Sequence, residues 1–174
     1  MKHLSIFLYS VITVLLFSAC SKDEEVCPRG YYGSDCSQQV TPTKISISKI
    51  EVTRYPLVTN SGSSWDTGLS GPGNSLPDIY PTLYQNGNLI WDSSIYQEDV
   101  SGGAYSFIPN SPIQITSPTA QCTIWCRDFD DLDTDDDMGG ITFTLYNSSN
   151  DFPSTLVVDA NGTVAFKFYL SYTF

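Results

Sequence analysis

The sequence predicts an all-β domain, a two-sheet antiparallel sandwich of about eight strands, and three observations carry that prediction. Short β-rich runs alternate with clusters of Gly, Pro, Asn, Asp and Ser from Lys44 to Phe174. Nowhere in that stretch do apolar residues recur at the period an amphipathic helix needs. The last run alternates, with Val164, Phe166, Phe168, Leu170, Tyr172 and Phe174 on one face and Thr163, Lys167, Ser171 and Thr173 on the other.

The runs place strands near 45–55, 79–85, 88–92, 104–109, 113–116, 120–128, 140–145 and 155–159, before the closing one. Between the last two stands Asn161-Gly162, a pair suited to a type I′ hairpin turn. In the 120–128 strand, Cys122, Ile124 and Cys126 share one face and Trp125 takes the other. Residues four apart on a strand sit roughly 13 Å apart, too far for a disulfide. Both cysteines therefore read as free, buried, small apolar residues. No repeat or sustained heptad appears, which removes solenoids and coiled coils.

Ahead of this domain the chain opens with Met1-Lys2-His3, an apolar run from Leu4 to Phe17, and Ser18-Ala19 before Cys20. A basic start, a short apolar stretch and small residues at the cut describe a signal peptide over residues 1–19. A transmembrane helix is the other reading, and the run is short for it. Phe17-Ser18-Ala19-Cys20 resembles the lipobox of bacterial lipoproteins, with Phe17 where Leu is usual. The resemblance implies that Cys20 carries diacylglycerol and, after cleavage, a further acyl chain such as palmitate, which together hold the chain on its own membrane. Residues 20–26 then form a lipidated acidic tether, because Ser21-Lys22-Asp23-Glu24-Glu25 has too little apolar content to fold. That segment also resembles the acidic tag by which some Gram-negative bacteria send lipoproteins to the cell surface. The expected location is the bacterial outer membrane, surface-displayed if the tag is read as a signal and not if it is a plain linker.

Net charge is −11 for the whole chain, and loss of the signal, whose one charge is Lys2, takes it to −12. Nucleic acid is excluded as a partner by that balance. The sole histidine, His3, leaves with the signal, which excludes His-dependent triads and the usual His-bearing zinc sites. What remains is long enough for one domain and a small appendage. Nothing in the pattern assigns an oligomeric state.

The appendage is residues 27–41. Cys27-Pro28-Arg29-Gly30-Tyr31-Tyr32-Gly33-Ser34-Asp35-Cys36 sets two cysteines around a Gly-punctuated loop, in a compartment where disulfides persist, and they read as a pair. The pattern resembles the last loop of an epidermal growth factor-like module, without that module's other two bridges, so a truncated spacer is expected. Thr41-Pro42-Thr43 marks the boundary to the main domain, 42–174.

The segment Arg127 to Gly140 holds seven carboxylates in fourteen residues directly after a predicted strand. Such a loop is either a solvated acidic surface or a site for a hard divalent cation, and calcium accepts six to eight oxygens in flexible geometry. An EF-hand is excluded: counted from Asp131, its glycine and glutamate positions hold Asp136 and Thr142.

Asp128-x-Asp130 at a strand end, with Asp136 and Gly139 beyond, resembles the third calcium loop of the C-two domain of protein kinase C and the synaptotagmins. The resemblance implies calcium ligation by Asp128, Asp130 and Asp136, with Asp133 in an intermediate position that also contributes. Trp65-Asp66 and Pro77-Asp78-Ile79-Tyr80 resemble that family's first calcium loop, though the loop is longer and the order around Asp78 departs from the usual Asp-Pro-Tyr. They imply Asp66 and Asp78 as further ligands. Leu132 falls where the family carries an apolar membrane-inserting residue; it reads equally as an isolated exposed leucine.

Three functions are then in play. In the first, a C-two-like sandwich binds calcium through its aspartate loops and docks on an anionic lipid or glycan surface, calcium having turned the tip from strongly negative to nearly neutral or positive. In the second, calcium stiffens an adhesion or carbohydrate-binding sandwich, with Trp65, Trp91 and Tyr80 as exposed stacking platforms. The third is a carboxylate-dependent hydrolase, against which no nucleophile stands beside a recognisable base. A binding protein and not an enzyme is expected.

Overall fold

The computed structural model describes residues 26–66, 76–130 and 134–174. The signal peptide, Cys20 and nearly all the tether lie outside them, as do Leu132 and Asp133. Among the described residues every regular element is a strand: β1 Tyr31–Tyr32, β2 Gln38–Gln39, β3 Lys44–Arg54, β4 Ile79–Gln85, β5 Asn88–Asp92, β6 Tyr105–Phe107, β7 Ile113–Ile115, β8 Gln121–Asp128, β9 Asp136–Thr144, β10 Thr155–Asp159 and β11 Ala165–Thr173. β3 to β8, β10 and β11 fall where the alternation puts strands. β9 begins earlier than expected, so Asp136 and Asp137, read as loop, are paired with Asp128 and Arg127.

A β-bulge accounts for that early start. Cys126 pairs with Gly139 and Arg127 with Asp137, which leaves Met138 as the extra residue, its side chain buried in the core. Gly139 beside it has φ +142°, a conformation that only glycine adopts easily.

The sandwich is two antiparallel sheets. One runs β10-β11-β3-β6, with β7 also on β3, and the other β5-β4-β8-β9. In β3 the inward residues are Ile45, Ile47, Ile50 and Val52, spaced two, three and two apart, which a regular strand would not bury together. A register shift opposite Tyr169 and Leu170 leaves Ser48 as an extra residue and returns Ile50 to the inner face. Against these pack Phe166 and Phe168 of β11 and, from the other sheet, Ile79, Leu83, Ile124 and the free cysteines Cys122 and Cys126, all fully buried. Phe143 and Phe168 meet across the sheets with ring centres 5.0 Å apart.

Pro81 stands inside a strand with neighbours on both sides, a position that normally needs an N–H. Its carbonyl accepts from the Ser93 amide, so the missing donor faces the side where β5 has already ended at Asp92. At the β10–β11 hairpin, the Thr163 amide bonds the Ala160 carbonyl at 3.0 Å, and Asn161 and Gly162 both have positive φ, as the type I′ turn requires.

Cys27 and Cys36 form a disulfide. The clipped segment expected as a spacer is packed against the sandwich. Phe152 is the hub of the contact, its ring within 5.5 Å of Tyr31 and Tyr146, 5.4 Å of Tyr172 and 4.9 Å of Phe174. Gly30 lies so close beneath that a Cβ would come within 2.6 Å of Phe174 and 2.8 Å of Phe152. Tyr31 and Gln39 both donate to Asp151, and Arg29 lies over the Phe174 ring. An aromatic next to a glycine gives this short loop enough apolar surface to dock, which a Cys-and-Gly pattern alone does not reveal.

Candidate metal centre

β8 ends at Asp128 and β4 begins just after Asp78, and their pairing sets Ile79 opposite Asp128. The two aspartates are thereby neighbours at one end of the sandwich. The Asp78 amide donates to Asp128 Oδ1 at 2.6 Å, and the Phe129 amide donates to the Asp78 carbonyl at 2.8 Å. Asp66 arrives from the other sheet: the indole of Trp65 donates to the Pro56 carbonyl at 2.9 Å, two residues beyond the end of β3.

Asp66, Asp128 and Asp130 each offer a carboxylate oxygen within 4.8 Å of the others, and so do Asp66, Asp78 and Asp99. Asp66 belongs to both groups. Sequence reading missed Asp99. Its amide donates to Asp78 Oδ1 at 2.7 Å and its φ is +48°, a conformation aspartate tolerates better than most residues. Gln97 carries it there by exchanging two backbone bonds with Ile79, at 2.9 and 3.0 Å, and no local pattern announces that pairing.

Asp128 is the centre of the arrangement. It is 0% exposed, and its Oδ2 is buried with no hydrogen-bond partner. Burial pushes its carboxyl up to about 7; the Asp78 amide opposes this, and the charges of Asp66, Asp130 and Asp78 add to it. A buried oxygen without a donor costs stability, and a cation beside it would satisfy it. The donors in both groups are hard carboxylate oxygens, the set calcium takes and soft metals do not. On chemistry and on the orphaned oxygen, the residues fit calcium.

Asp135 and Asp137 serve the loop differently. Asp135 accepts from the Tyr80 hydroxyl and from the Asp130 amide, the latter at 3.3 Å, and so ties the acidic loop to β4. Burial first, then the bond to Asp135, holds the Tyr80 hydroxyl far above its ordinary pKa. Asp137 pairs with Arg127. Asp136, expected as a ligand, is exposed at the start of β9 and belongs to neither oxygen group among the described residues.

The aromatics expected as exposed platforms are not so placed. Tyr80 is buried, and Trp65 and Trp91 are partly buried against the core. Trp91 faces inward because it pairs with Leu83, itself an inner-face residue. Beside the centre lies a cleft of about 230 Å³, lined in part by Tyr80, Asp92, Ile95, Asp135 and a stacked Tyr96–Phe129 pair with ring centres 4.3 Å apart.

No family model matches the sequence, and no curated protein matches it. Among solved structures the chain is similar to one described as the structure of a C2 domain, at TM-score 0.46 and 8% identity over 75% of this chain and 98% of that one. It is similar also to human GIVD cytosolic phospholipase A2 in complex with methyl gamma-linolenyl fluorophosphonate, at TM-score 0.39 and 14% identity over 73% of this chain and 16% of that one. The same phospholipase with that inhibitor and terbium chloride gives TM-score 0.41 and 14% identity over 75% of this chain and 17% of that one. The chain thus spans only a small part of the phospholipase.

Proposed function

We propose that this chain is a lipid-anchored, calcium-binding β-sandwich of C-two-like type that docks its aspartate tip on an anionic membrane surface, a binding protein and not an enzyme. One observation carries the reading: Asp128 is wholly buried, its Oδ2 is unpartnered, and the oxygens of Asp66 and Asp130 lie within 4.8 Å of its own. Asp66, Asp128 and Asp130 would hold one ion, and Asp66, Asp78 and Asp99 a second.

Calcium contributes positive charge at a tip that repels anions without it. Apolar residues stand next to that charge: Leu57 and Val58, 40% and 50% exposed, directly follow Pro56, the residue that holds Trp65 and hence Asp66 in place. A cation bound by carboxylates with exposed aliphatic side chains alongside suits a lipid headgroup region better than a sugar, for which Trp65, Trp91 and Tyr80 are packed away. The lipid on Cys20 places the protein on the outer membrane, and the acidic segment behind it directs it to the surface.

Thermal unfolding of the chain from Ser21 onward, with and without 10 mM calcium, tests the metal reading. An ion bound with a dissociation constant of about 10⁻⁴ M, within the range of extracellular modules, stabilises by about 2.7 kcal/mol at that concentration. A melting temperature that calcium leaves unchanged, in the parent as in Asp128→Asn with Asp130→Asn, defeats the proposal.

A further inference from the structure

We infer that the lipid anchor and the aspartate tip occupy opposite poles of the sandwich, so that the tip engages an anionic bilayer other than the membrane that carries the anchor. The inference rests on the calcium and lipidation readings above and decides a question they leave open, namely which membrane the tip meets.

The poles follow from strand register. β3 pairs with β11 from Lys44↔Thr173 at one end to Ala165↔Arg54 at the other. The clipped segment lies wholly at the first end: the Thr43 amide bonds the Thr173 carbonyl at 2.8 Å, Gly30 packs on Phe174, and Tyr31 and Gln39 hold Asp151. Val26, which leads back to Cys20, is adjacent to that segment and 91% exposed. The second end carries the metal groups, because Pro56 just past Arg54 accepts from Trp65, and Asp66 meets Asp128.

Length excludes the return journey. Eleven residues of β3 separate the poles by roughly 30 Å. Six residues join Val26 to Cys20, and a fully extended chain of that length covers about 20 Å. Were the sandwich to stand upright with its tip pressed into the anchoring membrane, the clipped segment would stand too far from that membrane for Cys20 to remain in it. The disulfide and the Phe152 contacts prevent residues 27–41 from unravelling to supply the missing reach.

Charge points the same way. The chain's own tether carries three carboxylates, Asp23, Glu24 and Glu25, against one cation, Lys22, so the aspartate tip is repelled from it until calcium binds. Leu57 and Val58 then give a lipid bilayer, in preference to a soluble anion, something apolar to receive.

The experiment uses the full lipidated chain. It is inserted into phosphatidylcholine vesicles and mixed with dye-labelled phosphatidylglycerol vesicles, and clustering is read by energy transfer. Calcium is expected to cluster the two populations, chelation to disperse them, and Asp128→Asn to abolish the effect. A second arm mounts the chain in phosphatidylglycerol vesicles with a fluorophore on Ser61→Cys. Here the parent should still cluster, whereas about 20 Gly and Ser residues inserted before Val26 should bring the fluorophore onto its own membrane and cut clustering severalfold. Fluorophore contact with its own membrane at the native tether length overturns the inference, as does a calcium-raised melting temperature without clustering; both leave the calcium reading standing. No calcium response of any kind overturns both.

Discussion

The backbone amide of Asp78 and the carboxylate of Asp128 meet at 2.6 Å, and that bond joins the entry of β4 to the exit of β8 beside the carboxylates of Asp66 and Asp130. It satisfies one oxygen of Asp128 and leaves Oδ2 buried and without a donor.

Asp128→Asn should abolish the calcium-induced rise in melting temperature, which for the parent at 10 mM calcium is expected to be about 5–10 °C. Without calcium the same variant should melt at or above the parent near pH 7, because it removes a charge from a buried position. Differential scanning calorimetry of both proteins in chelator and in calcium checks the pair.

The proton and the cation compete for Asp128. Its folded pKa, about 7, lies above the unfolded value, so its contribution to cation-free stability is fully present below about pH 4 and lost as pH rises through about 7. Calcium affinity runs oppositely and should fall about tenfold per unit below pH 7. Calorimetric titrations at pH 5, 6 and 7.5 test this; an affinity flat across that range contradicts it.

Gly140→Ala should destabilise the sandwich without touching the acidic groups. An added Cβ would stand 2.6 Å from Trp125 Cδ2 and 2.9 Å from the Ile124 carbonyl, and the backbone atom cannot give way. The expected loss is about 1–3 kcal/mol in urea unfolding, with calcium still raising the midpoint.

Replacing Cys27 and Cys36 together by Ser should lower the melting temperature of the whole domain, by about 2 kcal/mol in stability, since the clipped segment is packed on Phe152 and Phe174. Tyr31→Ala should act in the same direction through the lost ring contact and the lost bond to Asp151. A freely hinged spacer would leave the melting temperature of the sandwich unchanged under either substitution.

Cys20→Ser should end incorporation of a labelled fatty acid and release the protein from membranes. Protease added to intact cells should degrade the parent if the acidic segment sends it to the surface. Labelling of the Ser variant equal to the parent's contradicts the anchor.

Much of this architecture is local in origin. Alternation with period two names β8 and β11 because a half-buried strand must bury every second residue, and Asn161-Gly162 names its turn because few residues accept two positive φ values. Cys122 and Cys126 are legible as free for the same geometric reason. The carboxylates of 128–137 announce a charge problem, and likeness to known loops groups Asp66, Asp78, Asp128 and Asp130 with Asp133 and Asp136, of which the first four stand in the two oxygen groups.

Tertiary structure alone decided the rest. Ser48 and Met138 are bulges only because a partner strand is one residue shorter there. Asp99 joins the centre through a bridge between Gln97 and Ile79, and Asp136 is drawn into a ladder that began earlier than its acidic sequence suggests. The clipped segment docks because Phe152, far along the chain, turns its ring to Tyr31. By itself the sequence determined that the chain forms strands and where negative charge accumulates, since both depend on neighbours along the chain. Which carboxylates share a cation, and which pole faces the anchor, depend on strands brought together from distant positions, and burial energy across two sheets makes that choice.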